Sequence, residues 1–292
     1  MNIIKQYRIY LERMGYSKTS IAMLPNCTRD FLKFTSQFYP YQGRKLIQSI
    51  ESKDIRAYHQ YLQERPNKKR TGGLSESYIN HHLYSLKIFF AWQEELGVTT
   101  TNPISSLSFK KPTTKPREIL SVAEIKQLYE ATETLKEKAI LSLFYGCGLR
   151  RTEGEKLNLK DIHFRSGILY VREGKSGKRR AVPMSKKVSQ DLKDYAYQER
   201  FARPNEPAAI TNRIGTRITG SSCNDLLKSV LKKTRIEKQI TLHSLRHSIA
   251  THLLESGLSV EYVRDFLGHK HLESTQIYTR VKNKQLWNLS NT

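Results

Sequence analysis

Three short stretches carry side chains able to handle a phosphate. In Gly146-Cys-Gly-Leu-Arg-Arg-Thr-Glu153 two glycines permit a tight turn that presents Arg150 and Arg151 at the start of a helix. Unpaired backbone N–H groups and the positive end of the helix dipole gather at such a start, which suits an anion. In His243-Ser-Leu-Arg-His247, His243 and Arg246 lie three residues apart and share a helix face, while Leu245, Ile249 and Leu253 step by four along another. One face is expected to be buried and the other to carry the polar groups. In the stretch from Leu267 to Arg280, Gly268 is expected to end a short helix begun at Ser259, which places His269 in the turn and Tyr278 on the helix that follows. Each stretch has an ordinary reading by itself: arginines on a helix surface, histidines as hydrogen-bonded helix polars, a tyrosine packed in a core. His243 and His247 also have the i, i+4 spacing of a metal pair. The glutamate that follows the first histidine in a metalloprotease helix is missing, so no metal ligand is assigned.

These residues need a scaffold, and apolar periodicity supplies one. Before residue 108, apolar side chains recur at helical spacing at Ile3, Tyr7, Tyr10 and Leu11, then over 21–38, 55–62 and 78–96, which predicts four or five helices. Ser75 is placed to start the last of them and Gly97 to stop it. Ser108-Phe-Lys-Lys-Pro-Thr-Thr-Lys-Pro-Arg117, with two prolines and four cations, reads as an exposed linker. The expected division is therefore a helical domain over 1–107, a linker over 108–117 and a second domain over 118–292. In the second domain, Ser121 and Glu124 have capping-box spacing and open a helix, and another runs over about 136–145 to the glycines beyond it. The period then changes to that of strands. Three short strands are predicted over 161–164, 168–172 and 179–183, joined by turns at Arg165-Ser-Gly167 and Glu173-Gly-Lys-Ser-Gly-Lys178. From Lys186 helical spacing is expected to persist almost to the end. The fold class is mainly α with a small antiparallel β-sheet.

A chain of 292 residues exceeds the usual size of one hydrophobic core, and 38% hydrophobic residues suffice for packed domains. Lys and Arg number 50 against 27 Asp and Glu, a net charge of +23, which points to a polyanionic partner and to nucleic acid before anionic membrane. Charge alone names no chemistry. Lys5, Arg8, Glu12 and Arg13 break up any signal-peptide core in the first residues. The longest apolar stretch, 139–149, is far short of the roughly 20 residues of a membrane span. A soluble, cytoplasmic protein that does not associate with membrane is expected. Cys27, Cys147 and Cys223 are scattered and odd in number, so they read as reduced packing residues and not as a disulfide or zinc framework.

Taken together, the clusters resemble the tyrosine recombinase or phage-integrase-like family, and look nearest to its compact Xer-type members. Gly148-Leu-Arg-Arg-Thr-Glu153 matches the first arginine box, Gly174-Lys-Ser-Gly-Lys-Arg179 the hairpin lysine, His243-Ser-Leu-Arg246 the second box, and Leu267-Gly-His269 with Tyr278 the remainder. Leu86-Lys-Ile-Phe-Phe-Ala-Trp92 with Asn102-Pro103 is similar to the end of the family's helical core-binding domain. The resemblance implies a SAM-like core-binding domain followed by an α+β catalytic domain. It further implies that Arg150 and Arg246 grip the scissile phosphate and that His243 and His269 add hydrogen bonds. Lys175 is then the proton donor to the departing 5′ oxygen, Tyr278 the nucleophile and Glu153 a support for the site. Arg151 and Gly154 depart from the apolar residues usual at their positions in the family.

Attack on a phosphodiester accumulates negative charge on its equatorial oxygens, and stabilising that charge is the main catalytic task. No Asp or Glu cluster stands among these motifs to hold Mg²⁺, whereas two arginines supply fixed positive donors, so catalysis without metal, cofactor or ATP is expected. The implied partners are double-stranded DNA with a specific core site and further recombinase subunits in a homo- or hetero-tetramer. Leu286, Trp287 and Leu289 in the tail could dock on a neighbouring subunit or on their own domain. A type IB topoisomerase shares the tyrosine and arginine chemistry and is the nearest rival; a catalytically silent DNA-binding protein is another.

Overall fold

Hydroxyl side chains at the helix starts decide where many elements begin. The computed structural model describes residues 2–67, 71–109, 118–172 and 179–268. The chain divides into two compact units, Met1–Lys115 and Pro116–Thr292.

The first unit is helical among its described residues: α1 (Ile3–Arg13), α2 (Lys18–Thr35), α3 (Gly43–Ser49), α4 (Ser52–Glu64) and α5 (Glu76–Glu95). Ser17 Oγ accepts the Ser20 N–H at 3.2 Å to open α2, and Ser75 Oγ accepts the Tyr78 N–H at 3.3 Å to open α5. Such caps stabilise a helix by about 1 kcal/mol each. Gly97, at φ +64, turns the chain out of α5, a conformation that costs glycine nothing. Aromatic side chains fill the core. Tyr7 meets Phe89 edge-on at 5.2 Å and Phe31 meets Tyr58 edge-on at 5.1 Å, geometries that favour ring pairs beyond their buried area. Helix α3 was not named by periodicity because it buries only Leu46 and Ile47, too few residues to display a period.

The second unit opens with α6 (Val122–Glu130), whose capping box is reciprocal: Glu124 N–H donates to Ser121 Oγ at 3.2 Å and Ser121 N–H to Glu124 Oε2 at 2.7 Å. Helix α7 (Leu135–Leu141) loosens into a π-helical turn, Ser142–Gly146, before α8 (Arg151–Lys156). Strands β1 (Ile162–His163), β2 (Ile168–Val171) and β3 (Arg180–Pro183) form an antiparallel sheet in that order. Leu169 lies opposite both Ile162 and Val182, and all three are buried, so the register aligns one apolar face against the core. Helices α9 (Lys186–Asp194), α10 (Gly220–Leu231), α11 (Leu242–Glu255) and α12 (Val260–Leu267) follow. The expected mainly helical architecture with a small antiparallel sheet is the one found.

The expectation of helical spacing from Lys186 onward is corrected between α9 and α10, where residues 200–219 are irregular. Pro204 and Pro207 interrupt the helical ladder, and Asn205 and Gly215 take positive φ. Arginines supply the hydrogen bonds instead: Arg200 donates to the Glu206 and Ala208 carbonyls, and Arg217 to those of Glu155 and Leu157. The three cysteines are buried and free. Burial pushes their thiols up, to about 11 for Cys27 and about 12 for Cys147 and Cys223, which leaves them inert packing groups. No helix of the described residues is long and apolar enough to cross a membrane.

Candidate active site

Arg150 is presented by an abrupt change of backbone. The π turn widens the helix so that Cys147 N–H reaches back to Ser142 O at 2.9 Å, and Gly148 then takes φ +57. A side chain at Gly148 is excluded twice over, by that φ and by Leu267 Cδ2, which would lie 2.8 Å from its β-carbon. Arg150 follows in extended conformation as the residue before α8. Its main-chain N–H donates to Glu153 Oε2 at 2.9 Å, and its Nη1 to Glu153 Oε1 at 2.7 Å. The glutamate thus caps the helix start and aims the arginine in one act.

Arg246 lies on α11, which starts at Thr241 through a reciprocal pair with Ser244. Leu245, Ile249 and Leu253 pack inward as their spacing requires. The expectation that the opposite face stands open is corrected for Arg246, which is only 4% exposed; His243, three residues earlier, is exposed. The end of α12 closes over the guanidinium, which donates to the carbonyls of Gly148 and Leu267. Buried charge survives only with such partners.

At the centre stands Glu153, 3% exposed. Besides Arg150 it accepts Arg180 Nη1 on Oε1 and Arg180 Nη2 on Oε2, both at 2.8 Å, and Arg246 Nη1 is 4.0 Å from Oε2. Burial would raise its carboxyl, but the hydrogen bonds and charge of Arg180, then the hydrogen bonds from Arg150, outweigh this and hold it down at about 2. Burial, and then repulsion from Arg150 and Arg180, pull Arg246 down to about 9 against the attraction of Glu153. Three guanidiniums around one carboxylate leave an excess of two positive charges. A dianionic transition state is the charge such a site is short of. Among the described residues no group of three His, Cys, Asp or Glu side chains is placed to hold a metal ion.

Of the residues singled out by sequence, the structure brings together Arg150, Arg246 and Glu153, with His243 on the same helix as Arg246. Lys175, His269 and Tyr278 lie outside the described residues, as do Leu286 and Trp287. Arg180 was missed. The available signal was strand alternation: Arg180 is two residues before Val182, whose side chain is fully buried, so both belong to one face of β3. A run of three cations, Lys178 to Arg180, hid it. The two departures from the family pattern have local explanations. A β-carbon at Gly154 would sit 2.5 Å from Phe144 Cζ, so the ring occupies the space a side chain would need. Arg151 Cγ occupies the corresponding place over Gly220, where an added β-carbon would lie 2.5 Å away.

Comparison with known proteins is consistent with this geometry. Residues 118–285 match the Phage integrase family. The tyrosine recombinase XerC of Vibrio vulnificus is 32% identical over 261 residues, 86% of this chain and 82% of its own. The tyrosine recombinase XerA of Pyrococcus horikoshii is 30% identical over 290 residues, 98% of this chain and 91% of its own. Among solved structures, the Tn1549 transposon integrase in complex with circular intermediate DNA shares the fold, with a TM-score of 0.71 at 21% identity over 93% of each chain. The chain belongs to the phage integrase family of tyrosine recombinases.

Proposed function

We propose that this protein is a site-specific DNA recombinase of Xer type, which cuts and rejoins strands through a 3′-phosphotyrosyl intermediate. The observation that carries the reading is the Arg150–Glu153–Arg246 cluster, a largely buried site with unbalanced positive charge beside the end of α12. In this reading Arg150 and Arg246 hold the non-bridging oxygens of the scissile phosphate, with hydrogen bonds from His243 and His269. The Tyr278 oxygen bonds to phosphorus, the P–O5′ bond breaks, and Lys175 delivers a proton to the departing 5′ oxygen. The bond energy is kept in the phosphotyrosine, so a 5′-hydroxyl of another strand can reverse the step without ATP. An ordinary phenol titrates near 10 and attacks poorly while protonated, so the mechanism requires that its proton leave as it attacks.

The partners are double-stranded DNA carrying a core site and other recombinase subunits in a tetramer, and the place of action is the cytoplasm or nucleoid. The +23 net charge supplies affinity for the phosphate backbone whatever the sequence. The type IB topoisomerase reading is not favoured by the relatives, which carry recombinase names. The test is a nicked suicide duplex built on the core sequence that the protein selects from a randomised duplex library. Recombinase chemistry yields an adduct that survives denaturing electrophoresis and a free 5′-hydroxyl. Sequence-specific binding without adduct would mean a silent DNA-binding protein. Plasmid relaxation without exchange between two core sites would mean a topoisomerase.

A further inference from the structure

Arg180 takes no part in the mechanism above, yet Glu153 receives two hydrogen bonds from it, as many as from Arg150. The geometry points to Arg180 as a positioning residue for the strand-cleavage reaction: from β3 it holds the Glu153 carboxylate, which sets the direction of the Arg150 guanidinium and keeps Arg150's charge available to the scissile phosphate. This rests on the reading of the site as a phosphate site.

Three features carry it. The two contacts at 2.8 Å, one to each carboxylate oxygen, form a fork that only a planar guanidinium can make, so the carboxylate is fixed in orientation as well as in charge. The side chain has no freedom to do otherwise. A β-carbon on Gly268 would lie 2.7 Å from Arg180 Cδ and 3.0 Å from its Nη1, so Arg180 is wedged between Glu153 and the turn whose carbonyl takes a hydrogen bond from Arg150 Nη2. Its Nε is buried without a hydrogen-bond partner among the described residues, so one donor is given up to keep the fork facing Glu153. Finally, the charge count requires it. Without Arg180 the buried carboxylate would face Arg150 at 2.7 Å and Arg246 at 4.0 Å alone, and would neutralise the arginine meant for the phosphate.

The test uses the full-length chain and the nicked duplex described above. Arg180→Gln should bind the duplex within about threefold of the parent but form the covalent adduct at least about tenfold more slowly, a loss in the reaction and not in binding. Glu153→Gln alone should slow adduct formation by a comparable factor, and adding it to Arg180→Gln should cost nothing further, because both changes act on the one Arg150 guanidinium. A merely structural role would predict a further loss. Arg180→Lys, which keeps charge without the fork, should fall between parent and Arg180→Gln. Independently of DNA, the Glu153 carboxyl followed by carbon-13 NMR should titrate well above its parent midpoint of about 2 in Arg180→Gln. Cleavage within about twofold of the parent would overturn the proposal. So would a loss that Glu153→Gln deepens, or an unmoved carboxyl midpoint. If Arg180→Gln does not fold, parent-like cleavage by Arg180→Lys overturns the fork. Failure of the parent itself to form adduct removes the recombinase reading instead, and the carboxyl titration still decides whether Arg180 governs Glu153.

Discussion

Arg150 Nη2 donates to the main-chain carbonyl of Gly268 at 2.9 Å, so the arginine assigned to the phosphate also holds the turn from which the chain runs on toward His269 and Tyr278. Arg246 makes the equivalent bond to Leu267. The two arginines proposed to hold the phosphate therefore also donate to the C-terminal end of α12, which couples that end to the site. Substitutions at these arginines are accordingly expected to disturb both cleavage and the end of α12.

Tyr278→Phe should retain core-site binding and lose covalent adduct completely, because it removes the nucleophilic oxygen and almost no packing volume. Gel shift and denaturing electrophoresis of the same reaction read the two properties. An adduct formed by the Phe variant would assign the nucleophile elsewhere.

Arg246→Lys should cut the rate of adduct formation by about a hundredfold or more, the usual cost of removing a preorganised donor at developing charge. A single ammonium cannot serve the Gly148 and Leu267 carbonyls and a phosphate together, so the variant should also melt earlier, by about 1–3 kcal/mol in unfolding free energy. Single-turnover cleavage and urea unfolding measure the two effects.

Cleavage should proceed in excess EDTA at the rate seen without it, since guanidiniums replace a cation at the phosphate. Loss of activity that Mg²⁺ restores would overturn this account of charge stabilisation.

Stability at acid pH should depend on Glu153. Its carboxyl is held at about 2 against an ordinary 4.5. A carboxyl depressed by folding stabilises the protein at pH above its unfolded value, and that contribution fades as pH falls from about 4.5 toward 2. The contribution is about 3 kcal/mol. In Glu153→Gln it should be missing at neutral pH, and the variant's unfolding free energy should change less than the parent's over that window. Urea titrations at a series of pH values compare them; parallel curves would show that Glu153 is not held ionised by its arginines.

Gly154→Ala should destabilise the second unit by about 1–3 kcal/mol, because the new methyl must displace the Phe144 ring. That corresponds to a fall in melting temperature of about 2–4 °C per kcal/mol. Phe144→Leu added to Gly154→Ala should recover part of it. Calorimetry of the single and double variants decides, and an unchanged melting temperature would mean that the ring moves aside freely.

What the sequence determined by itself was whatever depends on local chemistry. Ser75, Ser121 and Ser259 mark helix starts because a hydroxyl satisfies nearby orphan N–H groups, and Gly268 ends α12 in the left-handed conformation. The three strands were legible from their period. Arg150, Arg246 and Glu153 were legible because their spacing along the chain matched a family pattern. The tertiary structure alone decided the rest, since burial and charge balance arise from segments far apart in sequence. Arg246 lies on the exposed side of its helix when α11 is considered alone, and becomes buried where Gly148 and Leu267 close over it. Arg180 is one cation in a basic run until the sheet lays it against Glu153, 27 residues earlier. Gly154 departs from pattern until Phe144 is seen to fill its space. A local code can propose which groups could act on a phosphate. Only the packed fold can show that one carboxylate binds two of three arginines directly and leaves two positive charges uncompensated.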